Sequence, residues 1–357
     1  MSTTSSLTVE PSSRPLTPEE RLIIEAMERR EFIVGGAAAA ALVVAGCGND
    51  DDEGANGDGV QAEAESTDQP TSSAVESRSL TVVDLADNIF DLAVLGIAPA
   101  ANIYGSQFLE PVMGYLDLEA EVRDGVLASG FATEGASFEL NLEAIAALTP
   151  DVVLITDQFA ALFDESAIEA VREIAELTVV PDQGSWQDRS RAVAAAVGLE
   201  GDGEDRIEAA ELAIENLRSA VADRGLGGRE VSTLRFAREQ FISFVPPALC
   251  LEIMTEAGLA IPAAASGLTK EPAFPDYHAQ AFVSAELLGD FDADLLVLAE
   301  AVPDDGDNVI AQPTLQGSRA LDAGAVLRVP YFLWALNSAV GVNQICSDLT
   351  SGLDLLA

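Results

Sequence analysis

The sequence predicts an α/β fold of two lobes joined by one long helix, with a ligand cleft between the lobes. Two stretches with nearly the same pattern carry this reading. Asn141 to Ile155 reads NLEAIAALTPDVVLI, and Val283 to Leu298 reads VSAELLGDFDADLLVL. Each pattern is a short amphipathic helix that passes through an Asp-containing turn into an apolar strand. The third observation is the segment Gly203 to Asp223 between them. Ile207, Ala210, Ile214, Leu217 and Val221 recur there at three- and four-residue steps, opposite Glu208, Glu211, Glu215 and Arg218. This segment reads as a strut joining two similar units, which places function in the gap they share.

The first residues read as an address label and a tether. Within 1–46, Arg29 and Arg30 precede an apolar, alanine-rich run from Ile33 to Ala45. That run is too short to span ~30 Å of hydrocarbon comfortably as a permanent helix. Paired arginines, an apolar run and small residues before Cys47 resemble an export signal ending in a lipoprotein box, in which Cys47 is acylated. Such a signal suits either the twin-arginine or the general export route. Residues 47–79 are rich in Gly, Asp, Glu, Ser and Thr, with little to bury, and read as an acidic disordered tether. The expected location is the outward face of the cell membrane, as an exported lipoprotein.

The body follows in three parts: an N-terminal lobe over 80–187, an interlobe helical segment over 188–229 and a C-terminal lobe over 230–357. In the first lobe, Leu80–Leu85 reads as the opening strand, Asn88–Gly96 as a helix and Val152–Thr156 as a buried strand. Val179 and Val180 read as an edge strand. Alternating strand and helix imply a mostly parallel sheet covered on both faces, with ligands collecting beyond the carboxyl ends of the strands. That rule places Asp87, Tyr104, Thr133, Gln158 and Phe159 near any site.

Composition excludes several classes. The 357 residues include 60 acidic and 18 basic ones, a net charge of -42, so no basic stripe is available for nucleic acid. Hydrophobic residues make up 48%, enough for real cores. The three cysteines form no CxxC pair and His278 is the sole histidine, which disfavours a structural zinc site and a Ser-His-Asp triad. No cofactor and no catalysis are expected. Cys250 and Cys346 form either a disulfide or two buried thiols.

Several segments, in order, resemble a known family. Glu139-Leu140-Asn141-Leu142-Glu143-Ala144-Ile145, with Leu148-Thr149-Pro150-Asp151-Val152-Val153, is similar to the "E-P-N-L-E-x-I…L-x-P-D" signature of periplasmic binding proteins. These serve ABC importers of ferric siderophores, haem and cobalamin. Pro246-Pro247-Ala248-Leu249-Cys250-Leu251-Glu252-Ile253 resembles the family's second-lobe motif. Ala320-Leu321-Asp322-Ala323-Gly324-Ala325-Val326 resembles its segment before the closing helix. Leu140 and Val245 depart from the Pro and Gly usual at their positions. The resemblance implies two Rossmann-like lobes, a rigid single-helix hinge and a shallow cleft, in a monomer that captures a ferric siderophore for an ABC permease. Haem or cobalamin binding on the same fold, or a non-transport surface or sensor role, are the alternatives.

Roles for single residues follow from the resemblance and from chemistry. Glu139 and Glu252 match the family's two permease-docking carboxylates, one per lobe; a glutamate at a helix start is also an ordinary solvated residue. Arg235 and Arg238, with Phe241, lie on or just after the first strand of the second lobe. Their forked donors suit an anionic chelate or else neutralise local carboxylates. Trp186, Tyr331 and Trp334 are candidate aromatic walls, Trp334 equally a core residue. His278, with Tyr277 or Tyr331, is a candidate to fill vacant ferric positions of a bound siderophore complex, or a surface hydrogen-bonding residue.

Overall fold

The computed structural model describes residues 80–356 apart from 105, 135–138, 238, 272–277 and 302–304. The export signal, the tether and Cys47 lie outside the described residues.

The first lobe contains β1 (Val82–Asp84), β2 (Ala101–Asn102), β3 (Gly130–Phe131), β4 (Thr133–Glu134), β5 (Glu139–Leu140), β6 (Val152–Thr156) and β7 (Glu176–Val180). Five of them form one parallel sheet in the order β3-β2-β1-β6-β7, while β4 and β5 pair as a small antiparallel ribbon. Every residue of β6 is buried, as an apolar β-branched run covered on both faces should be. Strand β7, at the sheet edge, is only part-buried.

The second lobe contains β8 (Val231–Ala237), β9 (Gln240–Phe244), β10 (Gln280–Val283), β11 (Leu295–Glu300) and β12 (Val326–Pro330), in the order β10-β9-β8-β11-β12. Strands β8, β11 and β12 pair in parallel, whereas β9 runs antiparallel to both of its neighbours, β8 and β10. The departure from a parallel sheet has a local cause. Only residues 238 and 239 separate β8 from β9, too few for a crossover, and Glu239 supplies the positive φ of a tight hairpin at +60°.

The two repeated stretches hold equivalent places and are locked in the same way. The Asp151 carboxylate accepts the Thr81 N–H at 2.9 Å, and the Asp294 carboxylate accepts the Glu230 N–H at 2.9 Å. In each lobe, the turn Asp that launches one strand fixes the start of its parallel neighbour. In the first repeat Asn141 caps the helix Leu142–Ala147 by accepting from Ala144 N–H at 2.8 Å. The second repeat differs: Ala285–Phe291 is a 3-10 helix, with Gly289 set against the Thr314 carbonyl where a Cβ would lie 3.0 Å away.

The strut is the helix Glu200–Asp223, about 36 Å long at 1.5 Å per residue. It buries Ile207, Ala210, Ile214, Leu217 and Val221, the stripe set by its period, and near its start Gly203 lies so close to Ala194 that a Cβ there would be 2.5 Å from the alanine methyl. The preceding helix Trp186–Ala196 packs on β6 and β7 of the first lobe and also against the strut. A second helix, the closing helix Ala339–Gly352, lies along the strut. The junction therefore contains two packed helices, although only one carries the chain from lobe to lobe. Among the described residues no helix is long and apolar enough to cross a membrane.

Candidate functional site

The carboxyl ends of β8 and β12 bring together residues far apart in sequence. Arg235, near the end of β8, sits with its guanidinium carbon 3.5 Å from the ring centroid of Tyr331, the residue after β12. The Tyr331 hydroxyl is 3.0 Å from His278 Nε2, and the Gln280 amide nitrogen also faces that ring nitrogen. Phe244 completes the group, its ring centroid 5.5 Å from His278 and 6.4 Å from Tyr331.

The electrostatics follow from burial. Desolvation, helped by the positive charge of Arg235, pushes the His278 imidazole down to about 3, so the ring is neutral at physiological pH. The neutral ring's Nε2 faces the Tyr331 hydroxyl and the Gln280 amide, and the ring's tautomer sets which of them donates. Arg235 is half-buried, its Nε lacks a hydrogen-bond partner, and among the described residues it has no carboxylate partner.

The first lobe meets this group through rings. Tyr331 and Phe332 lie 5.4 Å apart, Phe332 and Tyr104 6.3 Å, and Tyr104 and Phe90 6.1 Å. Tyr104, just beyond β2, is thus linked to the second lobe's polar cluster. Beyond β1 and β7 lies a second group. The fully buried Arg189 guanidinium contacts Asp182 at 2.8 Å, Asp87 at 2.5 Å and Asn88 at 3.3 Å. Asp182 also accepts the Gln158 N–H at 3.0 Å. Burial pushes Asp84 up to about 7 and Asp91 up to about 6, and raises Asp182.

Three other expected site residues, Trp334, Trp186 and Phe241, pack into hydrophobic cores. Trp334 is 1% exposed and donates its indole N–H to Asp348 at 2.7 Å, so it is core and not wall. Trp186 packs with Ile207, Ala210 and Ile214 of the strut, and Phe241 joins the second lobe's core beside Phe236. Thr133 lies in β4. Arg238 and Tyr277 lie outside the described residues. Glu139, on β5, and Glu252, on the helix Leu249–Glu256, are both exposed. Glu252 borders an open groove of about 640 Å³ with Pro246, Leu251, Thr255 and Leu259. Cys250 and Cys346 are both free, buried thiols. Among the described residues no group of three or more His, Cys, Asp or Glu side chains is placed to hold a metal ion.

Phe244, Gln280 and Phe332 carry no local mark that distinguishes them from core or loop residues. Arg189 does carry one: it falls three residues after Trp186 and four before Val193, on the buried face of its helix.

Comparison with known proteins agrees with this architecture. No curated protein matches the chain. A siderophore periplasmic binding protein from the fuscachelin gene cluster of Thermobifida fusca superposes with a TM-score of 0.61 at 19% identity, covering 77% of this chain and 97% of that one. The siderophore-binding protein FhuD of Vibrio cholerae, solved with Fe3+-Desferal bound, gives a TM-score of 0.59 at 19% identity, covering 78% and 98%. The petrobactin-binding protein YclQ of Bacillus subtilis gives 0.57 at 15%, covering 77% and 92%. At these identities the likeness concerns the fold. Residues 132–331, more than half of the chain, match the family model for periplasmic binding proteins. The chain belongs to the periplasmic binding protein family.

Proposed function

We propose that this chain is the lipid-anchored binding component of an ABC importer, capturing a ferric siderophore and delivering it to a membrane permease. Arg235 carries the reading. In a chain with 60 acidic residues, a half-buried guanidinium held over an aromatic ring and away from any described carboxylate suits an anionic guest. Anionic oxygens of a ferric catecholate or carboxylate complex would accept from its free donors, and Tyr331, Phe332 and Tyr104 offer ring surface beside it. Neutral His278, with Tyr331, is suited to fill open positions on an incompletely wrapped ferric ion. Arg238, Gln158, Thr133 and Tyr277 are proposed around the same guest. Glu139 and Glu252, exposed on different lobes, are proposed to pair with permease arginines, and Cys47 to carry the lipid. The working form is an exported monomer without catalytic activity or resident cofactor.

Titration of the purified chain with ferric bis-catecholate, ferric hydroxamate, haem and cobalamin, followed by tryptophan fluorescence, tests this. Saturable quenching by an anionic ferric complex is expected. Binding of haem or cobalamin alone, with their own visible spectra, would replace the siderophore reading, and binding of none would end it.

A further inference from the structure

The turn that follows β12 belongs to both lobes at once. Tyr331 and Trp334 lie in the core cluster of the second lobe and strut, whereas Leu333 and Leu336 lie in that of the first lobe. Phe332 packs against both. This alternation follows from a single helical turn, Tyr331–Trp334, placed between two cores, because successive residues of a helix point to different sides. Just downstream, the chain is fastened to the first lobe. The Ala339 N–H, at the start of the closing helix, donates to Ser190 Oγ at 2.8 Å. The Asn337 amide reaches the carbonyls of Asp182 and Gly184 at 3.4 and 3.5 Å. Ser190 and Asn337 are both buried.

We infer that Ser190 and Asn337 are positioning residues for the ligand-facing group, which they reach through the turn Tyr331–Trp334. The first lobe holds the downstream end of this short segment, and its upstream end carries the Tyr331 hydroxyl that meets His278. A change in lobe angle therefore shifts Tyr331 against His278 and Arg235, both of which belong to the second lobe. The site's geometry reports the lobe arrangement, and a guest gripped by Tyr331 biases that arrangement in return. This rests on the proposed ligand site only for its consequence; the coupling itself belongs to the unliganded protein.

The chain has a single histidine, so selective 15N-histidine labelling gives one imidazole to observe. The test compares that signal in unliganded wild type, Ser190→Ala, Asn337→Ala and the control Thr350→Ala. The control loses a hydrogen bond to Cys346 within the closing helix, away from the first lobe. Ser190→Ala and Asn337→Ala are expected to shift or broaden the His278 resonances, and Thr350→Ala to leave them in place. Ferric bis-catecholate affinity is expected to fall ~5-fold or more in the first two variants. An imidazole signal unmoved by both junction variants while they remain folded, or moved equally by Thr350→Ala, overturns the inference. If one junction variant fails to fold, the other decides. Loss of bis-catecholate binding in wild type would sink the ligand reading and leave the imidazole comparison intact.

Discussion

The Arg235 guanidinium sits over the ring of Tyr331 at 3.5 Å, and the same tyrosine reaches His278 through its hydroxyl. One aromatic side chain thus touches the positive charge and the neutral imidazole of the site together. The ring holds Arg235 in place without neutralising it, which a carboxylate would do.

Replacing Arg235 by Ala is expected to weaken an anionic ferric complex by more than tenfold, since charge-assisted hydrogen bonds contribute roughly 1.5–3 kcal/mol each. Fluorescence titration measures this. Equal affinity in the variant would remove Arg235 from the ligand set.

Tyr331→Phe and His278→Ala separate ligation from packing. If these groups complete the coordination of a ferric ion, both variants change the visible charge-transfer band of the bound complex, while the far-ultraviolet circular dichroism stays that of wild type. A band identical to wild type in both would confine them to the wall of the cleft.

Asp84 gives a pH signature. It accepts from Asn88 Nδ2 at 2.9 Å and Ala86 N–H at 3.2 Å, yet its second oxygen has no partner, and burial pushes it from 3.8 up to about 7. A carboxyl raised on folding contributes stability that is complete below its unfolded value and is lost as pH rises through the folded one. Relative to wild type, Asp84→Asn should therefore gain stability between pH 4 and 8, by the order of a few kcal/mol. Thermal melts across that range check the sign, and a flat difference would mean that Asp84 is ionised throughout.

Glu139→Gln and Glu252→Gln should leave ferric-complex binding within about twofold, because both residues are exposed. Each is expected to weaken productive docking roughly 2–5-fold, the range of an exposed ion pair, read as transport in vesicles containing the permease. Unaltered transport in the double variant would return both residues to the ordinary surface.

Trp334→Phe should destabilise the chain by about 1–3 kcal/mol through loss of indole packing and of the bond to Asp348. Chemical denaturation measures it. A larger loss of ferric-complex affinity than of stability would restore Trp334 to the cleft.

Much of the fold was legible from the sequence because its signals are local. The stripe from Ile207 to Val221 names the buried face of the strut, and the run Val152–Thr156 names a doubly covered strand. The repeated Asp turns mark equivalent strand starts. Periodicity records which face of an element is buried, and that much is a property of neighbouring residues.

What covers that face is settled by residues distant in the chain, so tertiary structure decided the site. Tyr331 and Trp334 look alike in sequence, yet one meets His278 and the other is sealed against Asp348. Arg189 shows its burial by spacing, but its partners Asp87 and Asp182 come from other strand ends. Local pattern fixed the elements; long-range packing chose which side chains stand together, because that choice depends on how two finished lobes meet.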